Sequence, residues 1–208
     1  MNRQDTLTRT VLNRLSNIAK STPFTVRKFT DLGSSSSVHR ILSRLCNEGK
    51  IIRVMRGFYV LPSEIDSLPN VKFSASVESL ARAWALDRGY KLVATGIEEA
   101  YRLRLQTQAP VKSIYWTNGP SRTISIENAT AIIRHVSDSK LRWSDEPLGN
   151  LFRAMLVLDP KYVKRHHFKR ALDICLKSEE QKITGLNKLS KVRELKHWQH
   201  LIQQLNEA

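Results

Sequence analysis

Between Val38 and Leu45 the chain sets apolar side chains at Val38, Ile41, Leu42 and Leu45. This is the i, i+3, i+4, i+7 spacing that gives a helix one buried face. At about 100° per residue, Ser36, Arg40, Ser43 and Asn47 fall on the opposite face, with His39 and Arg44 at its edges. Ser34 to Ser37 supply candidate N-caps, and Gly49 can end the helix in the left-handed region. The period then changes from helical to extended. Ile51, Ile52, Val54, Phe58, Tyr59, Val60 and Leu61 are β-formers interrupted by a turn at Met55-Arg56-Gly57. Pro62, without a backbone donor, ends the second strand. Upstream, Val11, Leu12, Leu15, Ile18 and Ala19 form a helical stripe, Thr25 can cap a short helix Val26–Asp31, and Leu32-Gly33 supplies a turn. Helix, short helix, turn, amphipathic helix and tight ribbon, in that order, predict a winged helix–turn–helix unit.

Ser63 to Lys72 is polar and contains a proline, which predicts a linker and a domain boundary near residue 70. The pattern beyond it is different. Val77, Leu80, Ala81, Trp84 and Ala85 predict a helix ending near Gly89, and Lys91–Thr95 a buried strand. Ile97–Leu105 reads as a helix, and Val111–Trp116, Arg122–Ile126 and Ala131–Val136 as strands. From about residue 145 the chain is helical: Leu148–Leu158, Lys161–Leu176 behind Asp159-Pro160, Ser178–Leu189 and Val192–Leu205. The expected fold class is α+β, with a winged domain over 1–70 and a mixed α+β domain with a helical tail over 71–208.

Charge adds a direction to this plan. Against 19 Asp and Glu the chain carries 34 Lys and Arg, a formal charge of +15 and a pI near 10.2. Such a surface attracts polyanions, and the excess runs through every third of the chain rather than one tail. On the amphipathic helix and its ribbon the candidate DNA contacts are Ser35, Ser36, Ser37, His39, Arg40, Ser43, Arg44, Lys50, Arg53 and Arg56. Hydroxyls and cations of this kind read base edges and phosphates in a major groove. A protein-docking role for the same scaffold is the alternative. Two widely separated cysteines, Cys46 and Cys175, in helical patterns point to reduced thiols in a cytoplasmic protein. No apolar run of 18 residues is present, so no membrane span is expected.

Candidate chemistry is sparse. His197 and His200 share a helix face, yet no cysteine or carboxylate stands at a spacing that completes a zinc site. His166 and His167 should point in different directions beside Lys164 and Arg165. There is no phosphate-cradling glycine loop and no nucleophile elbow. Gly119-Pro120-Ser121-Arg122 reads as a hairpin turn before it reads as an anion site. Trp84, Trp116, Trp143 and Trp198 lie in apolar patterns and are expected in the core. An enzyme is not expected, and no cofactor or metal is implied.

Residues 24–136 carry a resemblance to a known family. The segments "FTVRKFTDLGSSSSVHRILSRLCNEGKIIRVMRGFYVLP" and "KLVATGIEEAYRLRLQTQAPVKSIYWTNGPSRTISI" look like AbiEi-type antitoxins of type IV toxin–antitoxin systems. The most specific parts are Arg56-Gly57-Phe58-Tyr59 with Pro62, Ala94-Thr95-Gly96, and Thr117-Asn118-Gly119-Pro120-Ser121-Arg122. The resemblance implies an autorepressor that binds inverted repeats in double-stranded DNA through its winged domain, with two copies on one operator. It also implies a C-terminal region that counteracts a nucleotidyltransferase toxin without needing a stable complex, a role in phage defence. A stand-alone regulator of the same fold and a nucleic-acid-modifying enzyme are the competing readings.

Overall fold

The computed structural model describes residues 3–65, 68–73 and 75–206, with side chains over 6–63 and 75–206. The chain is α+β and divides into two compact units, Met1–Arg88 with Ile124–Thr130, and Gly89–Thr123 with Ala131–Ala208.

In the first unit, helix α1 (Arg3–Leu15) is followed by strand β1 (Phe24–Thr25) and a short 3-10 turn, Val26–Phe29. Then come α2 (Ser35–Asn47) and the antiparallel ribbon β2 (Ile52–Met55) and β3 (Phe58–Val60). The apolar stripe decides which face of α2 turns inward. Val38, Ile41, Leu42 and Leu45 are buried with Val11, Leu15, Phe24, Phe29, Ile51 and Tyr59 in one core. Strand β3 is central to a three-stranded sheet of order β1-β3-β2, and Phe58, Tyr59 and Val60 are all buried. Phe24 pairs with Tyr59 across the β1–β3 ladder, their rings stacked at 6.0 Å. Gly49 and Gly57 take φ of 67° and 84°, as their places after α2 and in the ribbon turn require.

Three expectations for this unit change. The short helix spans four residues, and Thr25 does not cap it. Instead the Thr25 hydroxyl donates to Asp87 Oδ1 at 3.0 Å. Ser63–Lys72 is no open linker: β4 (Ser63–Ile65) pairs antiparallel with β5 (Leu68–Phe73). The first unit also runs past residue 70 to Arg88, taking in α3 (Val77–Asp87). The physical tie is at the end of that helix. Asp87, with a side chain only 15% exposed, receives Thr25, pairs with Arg27 Nε at 3.5 Å, and accepts Arg27 Nη1 on its carbonyl at 2.6 Å. Polar composition between residues 63 and 72 carries no trace of contacts made by residue 87.

The second unit contains β6 (Leu92–Ala94), α4 (Gly96–Arg102) and β7 (Ser113–Thr117), and β9 (Ala129–His135) returns into it after β8 (Arg122–Ile126). The sheet order is β6-β7-β9-β8, with β7 and β9 parallel and in register from Ser113–Ala131 to Thr117–His135. The turn at Asn118–Ser121 therefore joins two strands that are not neighbours, and the expected hairpin there is absent. Thr117 holds that turn: its hydroxyl donates to the Lys91 carbonyl at 2.6 Å and accepts the Gly119 N–H at 3.0 Å.

Helices α5 (Pro147–Met155), α6 (Arg165–Cys175), α7 (Glu179–Ser190) and α8 (Gln199–Asn206) complete the unit around Leu151, Phe152, Phe168, Leu172, Leu189 and Trp198. Helices α4 and α5 approach closely, since a Cβ on Gly96 would stand 2.2 Å from the Arg153 carbonyl. Between them lies a buried pair, with Arg153 Nη2 3.7 Å from Glu99 Oε1 and 2.5 Å from Asn150 Oδ1. Burial holds Glu99 above the usual carboxyl range even beside Arg153, and Arg153 Nε and Nη1 have no hydrogen-bond partner among the described residues. Trp84 and Trp198 are buried as expected, whereas Trp116 and Trp143 are only partly so. The expected Val192–Leu205 helix is broken near Leu195, and α8 begins at Gln199.

Candidate nucleic-acid interface

The start of α2 is organised by one hydroxyl. Ser34 is the N-cap, and its Oγ accepts the Ser37 N–H at 3.3 Å and donates to Ser37 Oγ at 2.8 Å. Ser36 Oγ lies 3.1 Å away. The cap leaves Ser35, Ser36, His39, Arg40, Ser43 and Asn47 exposed and Ser37 half-buried. The 3.6-residue period places Ser36, Arg40, Ser43 and Asn47 on one outward face. A cleft of about 510 Å3 beside this helix start is lined by Thr6, Thr10, Ser34 and Ser37 with Leu7 and Leu32. Sequence reasoning missed Thr6 and Thr10. Their i, i+4 spacing on α1 was the available signal.

The cations of this surface fall into two groups. Arg40, Arg53 and Arg56 are exposed and make no ion pair among the described residues. Arg56 stands at the ribbon turn beside Gly57, and Arg53 on β2 faces Tyr59 across the ladder. Arg44 and Lys50 are committed elsewhere. Both reach Glu48, Lys50 Nζ at 2.8 Å and Arg44 Nε at 3.7 Å, and Arg44 Nη2 also donates to the Thr8 hydroxyl at 3.0 Å. The Lys50 ammonium holds the Glu48 carboxyl below the usual range. Glu48, just past the end of α2, is the group that the sequence reading overlooked. Arg14 and Asp31 brace the unit from another side through a bidentate pair, Nη2 to Oδ2 at 2.8 Å.

Among the described residues no group of three or more His, Cys, Asp or Glu side chains gathers as a metal site would need. The His166 and His167 rings, expected to diverge, meet at 4.1 Å. Cys46 and Cys175 are free thiols. Among the described residues no helix is long and apolar enough to cross a membrane.

The fold and this surface together define a two-unit α+β protein with a cationic helix-and-ribbon face on its first unit. Residues 10–183 match a family of unknown function, DUF6088, and the chain belongs to that family. No curated protein matches the chain.

Proposed function

We propose that the chain is a DNA-binding antitoxin of a type IV system, a winged helix–turn–helix autorepressor that acts by binding and not by catalysis. On this reading α2 enters the major groove and the β2–β3 ribbon is the wing. The observation that carries it is the outward face of α2, where Arg40 stands among Ser36, Ser43 and Asn47, followed by Arg53 and Arg56 on the ribbon, all three arginines without an ion pair among the described residues. Serine, asparagine and arginine are the groups that hydrogen-bond base edges, and unpaired arginines on a ribbon suit the phosphate backbone. The antitoxin half of the proposal rests on the resemblance of residues 24–136 to AbiEi-type antitoxins. Two copies would bind an inverted repeat, and the partner would be a nucleotidyltransferase toxin in the cytoplasm.

Titration of the inverted repeat upstream of the gene tests the DNA half. Replacing Ser36, Arg40 and Ser43 together by alanine should abolish preference for the operator over random duplex, and unchanged affinity would sink the assignment. Co-expression with the adjacent gene, scored for growth rescue, tests the other half. Repression without rescue would leave a stand-alone regulator.

A further inference from the structure

The second unit holds a cavity that the DNA-binding reading does not use. It measures about 550 Å3, within the range of small-ligand sites, and lies between the C-terminal end of α4 and one face of α6. Its walls carry Tyr101, Arg102, Arg104, Gln106, His167 and Arg170, with no carboxylate among the lining residues. We propose that this cavity binds a nucleotide through its phosphate, with the base against Tyr101.

Three features argue for that ligand. First, the positive charge is available. Arg102 is occupied by Glu98, Nε to Oε1 at 2.9 Å, but Arg104 and Arg170 make no ion pair among the described residues. Two unpaired guanidiniums facing a concavity without carboxylates suit a phosphate, which planar guanidinium forks grip in bidentate fashion. Second, the cavity is far larger than a phosphate ion, and it offers a flat aromatic surface. Tyr101 is 41% exposed, which leaves ring surface on which a base can stack. Third, the polar groups that remain can read a base edge. The Gln106 amide nitrogen is spent on the carbonyls of Ile97 and Gln108, at 3.1 and 3.2 Å, which turns its oxygen into a fixed acceptor. His167 is held below the usual imidazole range by partial burial and then by His166, Arg170 and Lys164. A neutral ring there both donates and accepts.

The backbone fixes where Arg104 stands. It sits at φ 57°, in the left-handed region that glycine and asparagine occupy at least cost. The α4 terminus fixes it there, through Arg104 N–H to Tyr101 O at 2.9 Å and Leu105 N–H to Ala100 O at 2.8 Å. This is the usual left-handed close of a helix, and it sets where the Arg104 side chain leaves the backbone beside the cavity.

Calorimetric titration of the full chain with AMP tests the proposal, using adenosine, inorganic phosphate and a 5′-phosphorylated oligoadenylate as further probes. AMP should bind at least tenfold more tightly than adenosine or phosphate. Arg104→Asn with Arg170→Gln should weaken AMP at least tenfold, the asparagine keeping the left-handed backbone unstrained. Tyr101→Ala should weaken AMP while leaving phosphate unchanged. Tighter binding of the oligoadenylate than of AMP assigns the site to a strand end, and equal binding to a free nucleotide. Equal affinity for AMP and phosphate, or AMP binding indifferent to the double variant, would overturn the proposal. Operator affinity of the double variant separates the two readings. It should match the parent, and a loss there without an effect on AMP would make this surface part of a duplex footprint and remove the nucleotide site.

Discussion

At the scale of single residues, Glu48 reshapes the cationic surface, because its one negative charge is shared by two cations that composition counts as available. If α2 and the ribbon bind DNA, phosphates must take Lys50 and Arg44 away from this carboxylate. Glu48→Gln should therefore strengthen binding to specific and random duplex alike and steepen the salt dependence by about one phosphate contact. Fluorescence anisotropy over a range of salt concentrations reads both quantities, and weaker binding in the variant would contradict the ordering of the cations. Arg40→Ala should cost about 1–3 kcal/mol on the operator alone if its side chain contacts a base. The two cysteines supply a test that needs no DNA. Burial pushes the Cys175 thiol up to about 11, while Cys46 is half-buried with a smaller burial penalty. At pH 8 a thiol reagent should modify Cys46 first and Cys175 only on unfolding, as mass spectrometry of timed samples would show.

At the scale of elements, what was legible in the sequence was what local period encodes. The stripe of α2, the cap at Ser34, the left-handed glycine at position 49 and the turn at Arg56-Gly57 all follow from short-range rules, whereas the helix expected from Lys161 begins only at Arg165, and Asp159 caps the 3-10 turn Pro160–Tyr162 before it. Ribbons of polar residues were harder. Ser63–Lys72 has no alternation of apolar and polar residues, and its pairing as β4–β5 comes from the antiparallel ladder itself. Neighbour order in the second sheet was also hidden, because β7 and β9 meet in parallel across an intervening strand. The candidate DNA face was readable as a face, but its ion pairs depend on Glu48 lying beside Lys50 after the chain has turned. The α4–α5 contact offers a prediction at this scale. Glu99→Ala or Arg153→Ala leaves a buried charge alone and should cost about 3–5 kcal/mol, whereas Glu99→Leu with Arg153→Met should cost less than either. Chemical denaturation of the three variants decides it. Because burial raises the Glu99 carboxyl, its contribution to stability is fully present below the ordinary carboxyl range. That contribution is lost as pH rises through the raised value.

At the scale of the whole molecule, the first unit is larger than the helix-and-ribbon segment that carries its cationic face. A fragment ending at residue 70 cuts β5 and discards α3, and with it the Asp87 contacts to Thr25 and Arg27. A fragment ending at Arg88 should melt more cooperatively and at higher temperature than one ending at residue 70, measured by circular dichroism. Equal melting would show that α3 adds nothing to the unit.

The β1–β3 ladder has a consequence for the order in which the unit assembles. Phe24 and Thr25 pair with Tyr59 and Phe58, so the chain between them, including the whole of α2, forms a closed loop. A helix of 13 residues that opens with three serines is marginal on its own. Closing that loop costs entropy before the ladder repays it. The clasp, more than the helix, is therefore expected to limit the folding rate, which stopped-flow refolding of Phe24→Ala would measure. Substitutions at Phe24 or Tyr59 should slow folding and empty the outward face of α2 of structure, although neither side chain lies on that face.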